Sequence, residues 1–309
     1  MARLYIANTD NAWFDFLAAR PDLDEVNFWK PSAGGFSAIG AGEMFAFRLK
    51  APRNAIAGFG VFAFAQPSPI GWAWDAFGER NGCASKDALV AAIARLRKEQ
   101  DVTEFSEIGC RILIDAVFLP ERLWIPVPDD WSPNIVGGKT YDAQAGEGRR
   151  VYNALLAAAE ELRAPTLAAG LAEGDQARYG EPALVAPRLG QGGFRLAVAQ
   201  AYGRQCAISN GKVLPALDAA HIVPFGRGGA HAVSNGILLR KDIHSVFDAG
   251  FATIDPDYCF VVSDKVRTLF NNGEEYRRLH GQRLRTPTRS ELKPDTAFLR
   301  WHNENVFRG

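Results

Sequence analysis

Between Pro165 and Gly193 the chain becomes a mixture of glycine, proline, alanine and charge with no sustained apolar period. A segment of this kind buries no core of its own and reads as a linker. The 309 residues therefore form two cores rather than one, each of ordinary domain size. The expected boundaries are 1–145 for the first domain, 146–192 for a helix and linker, and 193–309 for the second.

Charge divides along the same line. Lysine plus arginine and aspartate plus glutamate both total 35, but residues 1–188 hold 19 basic and 24 acidic side chains, giving −5. Residues 189–309 hold 16 and 11, giving +5, so the second part is the one suited to a polyanion. With 47% hydrophobic and 23% charged residues the chain is neither disordered nor fibrous. Cys83, Cys110, Cys206 and Cys259 form no CxxC pair, which argues against a zinc ribbon and against a disulfide-stapled secreted domain. No apolar run reaches the length of a membrane span, and the opening MARLYIANTDNAW lacks the apolar core of a signal peptide. A soluble, cytoplasmic protein is expected.

The first part reads as mostly β. GEMFAFRLK (42–50) sets Met44, Ala46 and Arg48 against Phe45, Phe47 and Leu49, a half-buried strand. AIAGFGVFAFAQ (55–66) is apolar with Gly58 and Gly60 inside it, the mark of a buried, sharply curved strand, and 108–119 is a third. SKDALVAAIARLRKE (85–99) is a helix with Ser85 as its N-cap, and 147–164 is another. Several short curved strands plus helices predict a small, partly closed barrel, and the whole chain is of the α+β class. In the second part a helix from Gly193 is followed by a strand over 213–223, a helix over 240–250 ending at Gly250, a strand at YCFVVSD, and a helix at SDKVRTLFNN. The tail FLRWHNENVF (298–307) reads as packing, with Trp301 and Phe307 closing the domain and His280 on the surface.

Three of the five histidines, His221, His231 and His244, fall within 24 positions. His221, Asn235 and His244 are separated by 14 and 9 residues, and Asp248 follows four residues on. On a helix, His244 and Asp248 share one face and can share a ligand. A strand and helix carrying histidines, an asparagine and carboxylates suit metal-assisted hydrolysis, in which a neutral histidine takes a proton from water.

The residues around this set, from Cys206 through Asp218-Ala-Ala-His221-Ile-Val-Pro224, Gly228-Gly229, Val233-Ser-Asn235-Gly and Asp242-Ile-His244-Ser-Val-Phe247-Asp248, resemble the HNH endonuclease family over roughly 200–255. The resemblance implies a ββα-metal core, His221 as general base, Asn235 as brace of the loop that orients it, and His244 as metal ligand. Many members carry a metal-binding Asp or His before the base, where this chain has Ala220. Asp218 and His244 are then the expected ligands, with Asp248 a second helical candidate and Mg²⁺ or Mn²⁺ the expected ion. Ser209 stands where a second cysteine would partner Cys206, so no structural zinc is expected, and Cys206 reads as a small buried hydrophobe. Arg227, Arg240 and Lys241 flank the site and are candidate contacts to the DNA backbone. His231 reads as an exposed loop residue or a phosphate contact.

Six of the seven tryptophans lie in the first part: Trp13, Trp29, Trp72, Trp74, Trp124 and Trp131. Trp72 and Trp74 would share a face of a strand, and aromatic faces with a few polar groups suit a pocket for an extruded base. The stretches Asn27 to Pro31, Gly42 to Pro52, Ile56 to Gly60, Trp74 to Gly78, Asn81 to Gly82, Ile108 to Cys110, Trp124 to Pro126 and Asn134 to Asp142 resemble the N-terminal domain of modification-dependent HNH endonucleases. That domain is similar to the PUA superfamily of EVE, YTH and SRA modules. The resemblance implies a curved β-barrel that holds a flipped, modified base, with Trp29, Trp72 and Trp74 as candidate cage residues and Lys30, Arg48, Lys50 and Arg53 nearby for the backbone. The joint expectation is a restriction endonuclease acting on double-stranded DNA that carries 5-methylcytosine or 5-hydroxymethylcytosine, as in defence against phage, and working as a homodimer. An HNH nuclease cutting or nicking unmodified DNA, a reader whose nuclease has decayed, and an RNA-directed module are the alternatives.

Overall fold

The computed structural model describes residues 2–20, 23–169 and 189–309, and residues 170–188 of the expected linker lie outside them. The chain forms two compact units that divide between Pro187 and Arg188.

The first unit is a mixed sheet with helices. In chain order it runs β1 (Arg3–Thr9), α1 (Asn11–Ala18), β2 (Glu25–Asn27), β3 (Met44–Leu49), β4 (Ala55–Pro69), α2 (Ile70–Phe77), α3 (Lys86–Arg97), β5 (Glu107–Phe118), β6 (Ile125–Pro126), β7 (Gly138–Asp142) and α4 (Gly146–Ala169). The strand order is β2-β5-β4-β3-β1-β7, with β6 added to β4. β1 and β3 are parallel and the other pairs antiparallel. Two edges, β2 and β7, remain, so the sheet does not close into the barrel expected from the sequence. The curvature is there without closure. At Gly58 a Cβ would sit 2.2 Å from the Val117 carbonyl, and the β4–β5 register shifts twice nearby.

Strand alternation gives this sheet two buried faces. Leu4, Ile6, Met44, Ala46 and Phe59 pack with Val151, Leu155 and Ala158 of α4. Tyr5, Ala7, Phe45 and Phe47 face the other way, into an aromatic layer with Trp13, Phe14 and Phe28. β3 is therefore buried on both sides rather than half-buried, because α4 covers the face that the sequence pattern left to solvent. Ser85 caps α3, its hydroxyl accepting from the Ala88 amide.

The second unit runs α5 (Gln191–Ala201), β8 (Leu217–His221), β9 (Gly236–Arg240), α6 (Lys241–Asp248), β10 (Ala252–Ile254), β11 (Phe260–Val262), α7 (Lys265–Phe270), α8 (Glu274–Arg277) and α9 (Thr296–Asn305). β8 and β9 pair antiparallel from Leu217↔Arg240 to His221↔Gly236, and α6 begins at the residue after β9. The apolar run Ile237, Leu238 and Leu239 is fully buried, which fixes β9 as the inner strand that carries α6. α5 lies against this pair: a Cβ at Gly236 would come within 2.5 Å of Val198 and 2.9 Å of Phe194. The tail is a helix, α9, capped by Asp295, and the residues it buries are Leu299 and His302 rather than Trp301 and Phe307.

Candidate active site

Two strands, the loop between them and one helix bring the chemistry together. His221 is the last residue of β8, Asn235 ends the loop before β9, and His244 and Asp248 lie one turn apart on α6. His221, His244, Asp218 and Asp248 line a single cavity of about 690 Å³.

The His221 ring stacks on Phe194 of α5, with centroids 3.8 Å apart and planes 11° from parallel. Its Nε2 lies 2.9 Å from Nδ1 of His231, and the His231 ring stacks on Phe225 at 4.4 Å and 13°. His231 is thus held against His221 behind the cavity rather than exposed on its loop. Burial, then the charges of His231 and His244, push His221 down to about 4, against the opposing pull of Asp248 and Asp218. The ring is therefore neutral at physiological pH, as a general base must be.

Asn235 is fully buried. Its Oδ1 accepts from the Val223 amide, and its Nδ2 donates to the carbonyls of Val223 and Ala230. These bonds cross the loop that follows His221. Gly229 is required there, since a Cβ would stand 1.9 Å from the Val223 carbonyl.

His244 sits between two carboxylates. Its Nδ1 is 3.2 Å from Asp218 Oδ2 and its Nε2 is 3.1 Å from Asp248 Oδ2. Burial alone would depress it, but the hydrogen bonds and charges of Asp218 and Asp248 outweigh that and raise it to about 9. Asp218 in turn resists the upward push of burial, because the His244 ring and the Arg195 guanidinium 3.4 Å away hold its carboxyl below the usual range.

The expected ligands do not all converge. Asp218 and Asp248 meet opposite nitrogens of His244, and no group of three or more His, Cys, Asp or Glu side chains among the described residues is placed around one ion. Two donors do fit. The 3.1 Å between His244 Nε2 and Asp248 Oδ2 is close to the ~3 Å between adjacent ligands of an ion held at about 2.1 Å. Asp218 stands at the other nitrogen, where a carboxylate would fix the ring if this histidine held an ion.

Arg227 lines the cavity, whereas Arg240 is tied to Asp242 and, like Lys241, is not part of the lining. The sequence reading missed Phe194, Arg195, Phe225, His302 and Arg308, all of which line it. Phe194 and Arg195 lie before the motif and His302 and Arg308 more than fifty residues after it, so no local spacing connected them to the site.

Residues 206–255 match the family model described as HNH endonuclease. The site just described occupies this HNH segment, while the walls supplied by Phe194, His302 and Arg308 lie outside it. No curated protein matches the chain. Among solved structures the chain is similar to the modification-dependent TagI restriction endonuclease, at 14% identity and a TM-score of 0.26, over 93% of this chain and 77% of that one.

In the first unit the tryptophans are dispersed. Trp72 and Trp74 lie on helix α2 rather than on a strand, so their two-residue spacing turns Trp72 inward and leaves Trp74 partly exposed. Trp29 donates its Nε1 to the Asn81 carbonyl at 2.8 Å, next to the buried Asn27–Asn81 hydrogen bond. Of the four nearby cations, Arg53 is bidentate to Asp15 and Lys50 lies 3.9 Å from Asp10. Lys30 and Arg48 both meet Asn8, at its carbonyl and its Oδ1. Arg111, which the sequence reading did not single out, lies 4.2 Å over Phe36. Among the described residues neither Lys30, Arg48 nor Arg111 makes an ion pair. Burial, and then the charges of Arg111 and Lys50, lower Lys30 to about 8.

Among the described residues no helix is long and apolar enough to cross a membrane.

Proposed function

We propose that the second unit hydrolyses phosphodiester bonds in double-stranded DNA and that the first unit directs it to DNA carrying 5-methylcytosine or 5-hydroxymethylcytosine. The observation that carries the hydrolytic reading is the shared cavity in which neutral His221 accompanies the His244–Asp248 pair. His221 takes a proton from water as the water oxygen forms its bond to phosphorus. Asn235 holds the loop that sets the position of His221, and Arg227 supplies positive charge for the DNA backbone. His244 and Asp248 are the side chains that would hold Mg²⁺ or Mn²⁺, oriented by Asp218. The chemistry such an ion would supply is stabilisation of the pentacovalent phosphate and of the charge on the leaving oxygen.

The modified-base reading is supported by the composition of the first unit. It has an aromatic layer on one face of a curved sheet, four partly exposed tryptophans with Trp29 and Trp74 among them, and the cations Lys30, Arg48 and Arg111 with no carboxylate partner among the described residues. Partly buried charge of this kind gains from an anionic partner, and a nucleic-acid phosphate would supply one. Cutting both strands takes two active sites, which a homodimer would supply.

The test of the nuclease is conversion of supercoiled plasmid to nicked and linear forms with Mg²⁺ or Mn²⁺, beside EDTA and beside His221→Ala. Cleavage that both EDTA and the substitution abolish supports the reading. Cleavage that survives His221→Ala contradicts it.

A further inference from the structure

We infer that His231 is a positioning residue for the base: it selects the tautomer of His221 that can accept a proton from water. The inference rests on the hydrolytic reading above. Its ground is the contact between His221 Nε2 and His231 Nδ1 at 2.9 Å, a hydrogen bond that must have one donor and one acceptor. If His231 Nδ1 were the donor, neutral His221 would carry its proton on Nδ1 and accept on Nε2, leaving no lone pair for water. If His221 Nε2 donates, its Nδ1 lone pair is free. Only the second arrangement makes His221 a base.

The surroundings favour a rigid pair. Each imidazole is held face-on by its own phenylalanine, Phe194 on His221 and Phe225 on His231, with near-parallel planes. Phe194 comes from α5 and Phe225 from the short turn Phe225–Arg227, so two separate elements hold the two rings. His221 lines the cavity and His231 does not, so His231 acts through its partner rather than on a substrate. The hydrolysis balances without a further reactant. Water oxygen bonds to phosphorus, its proton goes to His221 Nδ1, and the bond from phosphorus to the leaving oxygen breaks with its electron pair on that oxygen. His221 is then an imidazolium whose Nε2–H still points at the His231 lone pair, which stabilises the charge formed in the transition state. Other groups act on the same ring: Asp218 of β8 and His244 and Asp248 of α6 set its background charge.

Two measurements test this on the full chain. The first is a long-range ¹H–¹⁵N spectrum of the five histidines at pH 7, assigned with single substitutions. It should show His221 protonated on Nε2 alone and His231 unprotonated on Nδ1. His221 protonated on Nδ1 would overturn the inference whether or not a cleavable DNA is in hand. The second is kinetic, on duplex DNA containing 5-methylcytosine with Mn²⁺. His231→Phe keeps the ring against Phe225 but loses the acceptor, and should lower kcat by about 10–100-fold with KM unchanged, as loss of a partner that orients a functional histidine does. His231→Asn puts an oxygen acceptor in the place of Nδ1 and should restore most of the rate. His231→Phe cutting at the wild-type rate would overturn the inference and leave the nuclease standing. His221→Ala cutting at the wild-type rate would instead remove the hydrolytic reading itself.

Discussion

Asn235 is bonded twice to one residue: its Oδ1 accepts from the Val223 amide and its Nδ2 donates to the Val223 carbonyl, both at 2.9 Å. This side chain does the work of a missing strand partner, closing the backbone just past His221 and holding the loop that carries His231. Asn235→Ala leaves the amide and carbonyl of Val223 without these partners in a buried place, and the Ala230 carbonyl in a partly buried one. The expected cost is about 3 kcal/mol. Chemical denaturation followed by a probe in the second unit measures it, and cleavage should fall with it.

His302 makes the second unit acid-sensitive. It is 1% exposed, bonded to Thr253 Oγ1 at 2.8 Å and stacked on Phe247. Burial lowers it to about 4. The unfolded chain takes up a proton near 6.5 that the folded unit refuses until about 4, so stability is full above the unfolded value and is lost as pH falls between the two. The loss attributable to His302 is about 3 kcal/mol at the acid end. His302→Asn should flatten the pH dependence of unfolding across that window, compared with wild type by urea titration at each pH.

The two carboxylates on His244 should behave differently toward a metal. Asp248→Ala removes a donor and should weaken Mn²⁺ binding, read by calorimetry on the full chain. Asp218→Asn leaves both donors but loosens the ring, and should cost about 10–100-fold in metal affinity, as loss of an outer-shell carboxylate does. Equal Mn²⁺ affinity in all three proteins would move the metal site elsewhere.

Lys30 and Arg111 should contribute to DNA affinity through charge. Lys30→Met and Arg111→Met are each expected to reduce the slope of log affinity against log salt by about 1, if each meets one phosphate. Fluorescence anisotropy with a labelled duplex over a salt series measures the slope. An unchanged slope in both variants would leave these cations as structural.

The parts of this fold that were legible in the sequence are those set by short-range pattern. The strands around Phe45–Phe47 and Gly58–Gly60, the Ser85-capped helix and the segment from Asp218 to Asp248 all follow from local periodicity, caps and spacing. What failed needed tertiary information. Trp72 and Trp74 read as a strand pair because both are aromatic, yet Ile70–Phe77 is helical and turns them apart. The open sheet was not legible because closure depends on whether β2 and β7 meet, which no single strand encodes. At the site, His231 read as a surface residue because its partner, His221, lies ten positions away across a loop, and the stacking of Phe225 is invisible in one dimension.

The proposed function has the first unit select modified DNA and the second cut it through His221. The direct measurement is digestion of three matched DNAs, carrying cytosine, 5-methylcytosine or 5-hydroxymethylcytosine, with Mg²⁺ and with Mn²⁺, by wild type and by His221→Ala. Cutting is expected to be confined to modified DNA and to fall by about two to four orders of magnitude in the variant while DNA binding persists. Equal cutting of all three substrates would contradict selection by the first unit, and undiminished cutting by His221→Ala would contradict the site.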